Sequence, residues 1–67
     1  MQATPKLLRI SNNLTQEEVA QLLNISVVQY RKKENGEVRF YANEIFILCE
    51  RYGIDINMLK GWITNEA

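Results

Sequence analysis

The sequence has no histidine and a single cysteine, Cys49, and these two scarcities exclude several kinds of site. One cysteine cannot form an internal disulfide, and without histidine we expect no zinc site and no imidazole-activated nucleophile. We find no glycine-rich loop suited to a phosphate and no catalytic base. We therefore expect no enzyme activity, no metal, no cofactor and no small-molecule substrate.

Long apolar runs are also missing. No stretch approaches the length needed to cross a bilayer, and the N-terminal residues lack the apolar centre of a signal peptide. The sequence therefore predicts no membrane partner and a cytoplasmic location.

An excess of either charge is absent too, since 8 basic residues balance 8 acidic ones and the net charge is zero. This balance argues against a strong general affinity for nucleic acid. The charges are nevertheless unevenly placed: the first 33 residues sum to +3 and the remainder to −3. The asymmetry fits either a solvated surface with chance clustering or a basic half that faces nucleic acid.

What the chain does contain is typical of one small globular domain. With 67 residues, 46% of them hydrophobic and 24% charged, we expect a single domain over 1–67. Its core should span about residues 4–61, followed by a C-terminal tail, 62–67.

Two helix start signals in succession organise the middle of this domain. Thr15 with Glu18, and Ser26 with Gln29, each have the spacing of a capping box, which satisfies otherwise unpaired N–H groups of a first turn. Asn24 lies between the two helices and tolerates the left-handed conformation of a sharp turn. The pattern predicts two short helices joined by a tight turn, the layout of a helix-turn-helix that reads DNA.

The second of these helices, from Ser26 to Asn35, should present one face to the major groove. The residues on that face, at helical spacing, are Val27, Val28, Arg31, Lys32 and Asn35. Valine methyl groups can contact a thymine methyl, and arginine or lysine can bond guanine acceptors. Packing within the protein is the alternative role for the two valines.

The flanking segments predict three more helices. One begins at Thr4-Pro5 and ends near Asn12-Asn13, with Leu8 in the core. Another spans about Ala42 to Tyr52, and the last runs from Asp55 to Gly61. The fold class is therefore all-α, a compact bundle of five short helices.

The periodicity of the fourth helix predicts which of its residues face the core. The expected core face comprises Ala42, Ile45, Phe46, Cys49 and Tyr52, with Ile47 and Leu48 beside it. Cys49 should be a buried, inert thiol. From the preceding loop, Phe40 should fill the core.

At these residues the sequence resembles a known family, the Xre and Cro/C1 type of helix-turn-helix, whose fold is lambda-repressor-like. The resemblance extends from about Leu8 to Leu59. The residues that carry it are Gln16 and Ala20 in a Q-x-x-x-A pattern, Ile25-Ser26, Tyr30, and Glu34-Asn35-Gly36.

The resemblance implies a set of roles. Arg9 should pair with Glu34 inside the fold, and Val27, Val28, Arg31 and Lys32 should read bases. The DNA backbone should be held by Gln16, Ser26, Asn35 and Arg39. Surface exposure without a DNA contact is the alternative for Arg39. Trp62 and Ile63 should either lie in a two-fold dimer contact or fold back on the core.

The sequence departs from the family pattern in three places. Asn24 occupies the turn where a glycine is usual, and it tolerates the same left-handed conformation. Lys33 stands where an apolar or aromatic residue is commoner, so we expect either that its stem packs while its amine reaches water, or that the helix is rolled slightly. Phe40-Tyr41 replaces a proline followed by a cap residue, which leaves the start of the fourth helix without its usual signal.

The function predicted from the sequence is DNA binding by a small repressor of the phage or mobile-element type. As a dimer it would bind a palindromic operator. The alternative is a protein-interaction module, antitoxin-like or antirepressor, that uses the acidic C-terminal half.

Overall fold

The computed structural model describes residues 3–64, which form four α-helices and two 3₁₀ turns. The helices are α1 (Pro5–Ser11), α2 (Gln16–Leu23), α3 (Val27–Glu34) and α4 (Ala42–Tyr52), and the turns are Ile56–Met58 and Lys60–Trp62. Within the described ranges there is no strand, only one isolated bridge between Phe40 and Ile63. The all-α class predicted from the sequence is confirmed.

Helix α1 begins where the sequence predicted. The Thr4 hydroxyl accepts a hydrogen bond from the Leu7 amide over 3.1 Å, and Pro5 occupies the first helical position. Proline loses no hydrogen bond there, because that amide has no partner inside a helix. Leu8 is partly buried against the core, and Leu7 and Ile10 remain exposed.

The turn between α2 and α3 also forms as expected. Both capping boxes are present, at Thr15 with Glu18 and at Ser26 with Gln29. Asn24 ends α2 in the left-handed region, with φ 59° and ψ 42°. These local signals determine where α2 ends and where α3 begins, because each satisfies the unpaired backbone groups of a helix terminus.

The core lies between α2, α3 and α4. Its buried members are Val19, Ala20, Leu23, Tyr30, Phe40, Ile45, Leu48, Cys49 and Leu59. The rings of Tyr30 and Phe40 meet edge to face with centroids 6.1 Å apart. Phe40 is fully buried, so the loop after α3 is anchored in the core as predicted. Burial raises the pKa of the Cys49 thiol, which suits an unreactive side chain.

Part of the predicted core face of α4 is wrong. Ala42 and Phe46 are exposed, Phe46 to 56%, whereas Glu44 and Leu48 are buried with Ile45 and Cys49. The face of α4 that packs on the core therefore includes Glu44 and excludes Ala42 and Phe46. Glu44 turns inward because it has two hydrogen-bond donors to satisfy there, the amide of Tyr41 and the amine of Lys33.

Of the two arrangements considered for Lys33, the one in which its amine reaches water is wrong. Lys33 is 6% exposed and Glu44 3% exposed, and the amine forms an ion pair with the Glu44 carboxylate. The amine also lies 4.4 Å from the centroid of the Tyr41 ring, a cation–π distance. The same Glu44 oxygen accepts the Tyr41 amide over 2.8 Å, so Glu44 also caps α4 where a serine or threonine signal is missing.

The fifth helix predicted between Asp55 and Gly61 is instead the pair of 3₁₀ turns. Asp55 does cap, but it bonds the Asn57 amide two residues on, and Leu59 leaves helical geometry at φ −120°. This break carries the Leu59 side chain into the core, where it is fully buried. Burial of this leucine side chain stabilises the arrangement of the two turns against the core.

Trp62 and Ile63 fold back on the core and leave part of each side chain exposed, so this packing is compatible with either placement considered for them. Both side chains are partly buried against the core. The Phe40 amide donates to the Trp62 carbonyl over 2.9 Å, and the Thr64 amide donates to the Phe40 carbonyl over 2.8 Å. The described end of the chain is thus tied to the loop that follows α3.

Substitution of Lys33 by methionine tests the buried pair. We expect Lys33→Met to lower the free energy of unfolding by about 3 kcal/mol, because the Glu44 carboxylate would stay buried without its cation. Urea denaturation measures the change. Lys32→Met is the matched control: Lys32 is exposed one residue away, and its loss should change stability by no more than about 0.5 kcal/mol. Equal effects of the two substitutions would contradict the structure.

Candidate nucleic-acid interface

One face of α3 is open to solvent over its full length. Val28 is 57% exposed, and Arg31, Lys32 and Asn35 are exposed one and two turns later. Val27 is partly buried and packs against the core, so it is the one member of the predicted base-reading set with a packing role. The exposed face therefore combines one apolar residue with two long cations and an amide.

Behind this face lies the buried ion pair expected between Arg9 and Glu34. The Arg9 Nε donates to Glu34 Oε2 over 2.9 Å, and Nη2 donates to Oε1 over 3.1 Å. Arg9 Nη1 donates to the Leu14 carbonyl over 2.9 Å. Arg9 therefore ties α1 to the last residue of α3 and to the segment before α2, and its guanidinium holds three elements together.

The environment of Glu34 keeps it ionised. Its side chain is only 1% exposed, and burial alone would raise its pKa. The hydrogen bonds from Arg9 and Gln16 outweigh burial and hold the pKa below its usual range. The hydrogen bonds that Arg9 donates to Glu34 likewise raise the pKa of Arg9.

Gln16 connects this ion pair to the exposed face. Its amide nitrogen Nε2 donates to Glu34 Oε1 over 3.0 Å, and its amide oxygen accepts from Arg31 Nε over 3.0 Å. The side chain expected to hold a phosphate is thus part of a continuous series of contacts from Arg9 through Glu34 to Arg31. Nothing in the sequence pattern indicated the contact between Gln16 and Arg31.

The other backbone-contact candidates have structural roles of their own. The Ser26 hydroxyl caps α3 by accepting the Gln29 amide over 3.1 Å. Asn35 is the C-terminal cap residue of α3, followed by Gly36 at φ 82°, a left-handed conformation that glycine adopts without strain. Arg39 is exposed, and its Nη1 donates to the Gly61 carbonyl over 3.1 Å.

The two buried pairs change the electrostatic picture. Arg9 and Lys33, counted among the cations of the first half, are neutralised by Glu34 and Glu44 of the second half. Without these four residues the halves carry only +1 and −1. The sequence suggested a basic half, but the cations left on α3 are Arg31 and Lys32 alone.

Glu44 is the residue that the sequence analysis missed. The spacing of a glutamate three residues after a cap was present at Tyr41, but tyrosine is not a capping side chain, so the signal was incomplete. A lysine at a core position of α3 was the second sign that a buried anion had to lie nearby.

Other kinds of site find little support among the described residues. Between residues 3 and 64 no cluster of three histidine, cysteine or acidic side chains has the arrangement of a metal site. None of the helices formed by these residues is both long and apolar enough to cross a membrane.

Two helices joined by a tight turn, with the outer face of the second exposed and cationic, define a DNA-binding helix-turn-helix domain. A family model described as helix-turn-helix matches residues 6–59. The chain belongs to this family, the Xre and Cro/C1-like helix-turn-helix proteins, as its sequence motifs indicated. No curated protein and no solved structure matches it significantly.

Removal of the Glu34 carboxylate tests the network behind the interface. We expect Glu34→Ala to lower the free energy of unfolding by about 3 kcal/mol, because Arg9 would be left largely buried without an anion. Thermal or urea unfolding measures the loss. Glu37→Ala removes an exposed carboxylate three residues away and should leave stability within about 0.5 kcal/mol. An unchanged melting temperature for Glu34→Ala would mean that the pair contributes nothing.

Proposed function

We propose that this protein is a transcriptional repressor that binds a specific DNA sequence, with α3 in the major groove. The observation that supports this most directly is the uninterrupted exposure of Val28, Arg31, Lys32 and Asn35 on one face of α3. Family membership supports the DNA-binding role. The repressor role, of the phage or mobile-element type, is the part that we add.

Within this proposal the exposed residues divide by chemistry. Val28 offers methyl groups to a thymine, and Arg31 and Lys32 donate to guanine N7 and O6. Val27 contributes the part of its side chain that the core leaves uncovered. Asn35, Ser26 and Arg39 lie at or just beyond the ends of α3, where contacts to phosphates fix the register of a helix in the groove.

The weak net charge shapes the expected binding. Few exposed cations means few displaced counterions, so the affinity should fall less steeply with salt than for a strongly basic domain. Specificity must then depend mainly on contacts with base edges rather than on general attraction to phosphates. A protein with zero net charge can therefore bind an operator specifically, because the base contacts do not depend on its net charge.

We further propose that two subunits bind a palindromic operator, with half-sites about one helical turn, roughly 34 Å, apart. A single α3 of eight residues reads only a short sequence, and a second copy doubles the contacts. Trp62 and Ile63 are only partly buried and remain the candidate dimer contact. The protein would act in the compartment that holds the DNA, which we expect to be the cytoplasm.

An interaction module is the second candidate, because exposed apolar side chains occur in the acidic half. Phe46 and Met58 are both more than half exposed there. Glu44 belongs to this acidic half, but its carboxylate is buried against Lys33 and is not part of the exposed surface. Glu50 is exposed, so charge reversal at Glu50 is the informative substitution for this candidate.

Selection from a random duplex pool tests the main proposal. We expect the wild-type protein to enrich a palindrome whose half-site centres lie about 10 base pairs apart. Insertion of about 5 base pairs between the half-sites should weaken binding, because it places them on opposite sides of the duplex. Sedimentation with and without DNA reports the dimer. Failure to enrich any sequence, at low as well as moderate salt, would overturn the proposal and direct attention to protein partners.

Lys32 tests the division between base and phosphate contacts. We expect Lys32→Ala to cost about 1 to 3 kcal/mol on the enriched operator and to relax one base position, because Lys32 reads a base. Titration of the operator and its single-position variants measures this. An equal loss on every sequence, with a shallower dependence on salt, would show instead that Lys32 holds a phosphate. Lys60→Ala, which removes an exposed cation distant in sequence from α3, is the control.

A further inference from the structure

The hydrogen bonds of Gln16 give it a role other than the phosphate contact expected from its position. Its amide lies between a buried carboxylate and an exposed guanidinium, at 3.0 Å from Glu34 Oε1 and 3.0 Å from Arg31 Nε. Both hydrogen-bonding ends of the amide are therefore engaged within the protein. Gln16 belongs to α2 and Arg31 to α3, so the contact spans the two helices of the motif.

The orientation of the Gln16 amide follows from chemistry. An ionised carboxylate only accepts hydrogen bonds, and Glu34 is held ionised by Arg9, so the amide must turn its NH₂ group toward Glu34. The amide oxygen then points to the opposite side, toward Arg31. A guanidinium only donates hydrogen bonds, so the Gln16 amide oxygen is a suitable acceptor for Arg31 Nε. The buried ion pair thus determines which atom Gln16 presents to the DNA-facing side.

This contact also determines which atoms of Arg31 remain for DNA. With Nε bound to Gln16, the two terminal nitrogens Nη1 and Nη2 are left as a pair of parallel donors at the end of the side chain. Guanine presents two acceptors, N7 and O6, which such a pair matches. Arginine loses considerable rotamer entropy when it is fixed in one geometry, and here part of that loss precedes DNA binding.

We propose that Gln16 is a positioning residue, which holds Arg31 end-on for a guanine in the operator and is itself oriented by the Arg9–Glu34 ion pair. The proposal rests on the proposed function, since it names what a DNA-reading residue recognises and how. It differs from a phosphate contact because it predicts an effect at one base position only.

A double-mutant cycle distinguishes the two roles. Arg31→Ala first identifies, by selection, the base pair at which discrimination is lost. At that base pair we expect Gln16→Ala to reduce the preference for guanine by roughly tenfold, with the other positions unchanged, because an unrestrained arginine must then be ordered on binding. In the Arg31→Ala background, Gln16→Ala should have no further effect on discrimination or affinity.

Two results of the same experiment would overturn the proposal. A uniform loss of affinity by Gln16→Ala that persists in the Arg31→Ala background would show a phosphate contact and overturn the proposal. Unchanged discrimination would also overturn it. Gln21→Ala, an exposed glutamine on the same helix, is the matched control and should be silent. Thermal unfolding of Gln16→Ala verifies that the fold persists.

A measurement without DNA separates this inference from the proposed function. The Arg31 Nε–H group should give a hydrogen-exchange-protected NMR signal in the free wild-type protein, and Gln16→Ala should abolish the protection. Exchange as fast as that of an exposed arginine such as Arg51 would overturn the positioning contact, even where the wild-type protein enriches a sequence. Protection with no enriched sequence would instead overturn the proposed function, and the specificity role of Gln16 with it.

Discussion

The carboxylate of Glu34 is the group on which the arrangement of the first three helices depends. It terminates α3, accepts two hydrogen bonds from Arg9 of α1 and accepts one from Gln16 of α2. A domain of 67 residues buries a limited apolar area, so a few fixed polar contacts between helices have a large share in defining their geometry. Burial of this charge is tolerable only because its oxygens are satisfied by donors from two other elements.

The Lys33–Glu44 pair has the corresponding role between α3 and α4. The family pattern has an apolar residue at Lys33, and this chain places a buried cation there with a glutamate and a tyrosine ring around it. Glu44 also caps α4, so one carboxylate both neutralises the lysine and begins the helix. The two pairs together fix α3 from both sides and remove two cations from the surface, which leaves the DNA-facing side with Arg31 and Lys32.

Local signals made much of this fold predictable. The capping boxes at Thr15 and Ser26, the turn at Asn24 and the end of α3 at Asn35 depend on residues a few positions apart, and all formed as expected. The predictions that were wrong concern side chains whose position depends on contacts with residues distant in the sequence. The burial of the Lys33 amine depends on Glu44, eleven positions away in the sequence. Leu59 departs from helical geometry, and its side chain is buried in the core. The exposure of the α3 face was foreseen from its periodicity, whereas the bond from Gln16 to Arg31 depends on how α2 and α3 are set against each other.

A neutral chain can discriminate between DNA sequences if its few exposed cations are held in place. A mobile arginine on a strongly basic surface binds phosphates on any sequence, and its affinity depends on salt more than on bases. Here the net charge is zero, and Arg31 is restrained by an amide whose orientation is set by a buried ion pair. The stability of the fold and the geometry of Arg31, the side chain that we propose reads a base, then both depend on the carboxylate of Glu34. Given the proposed role of Arg31, changes that weaken the pair should alter sequence preference before they abolish folding, because Arg31 lies at the exposed end of the network and loses its restraint first.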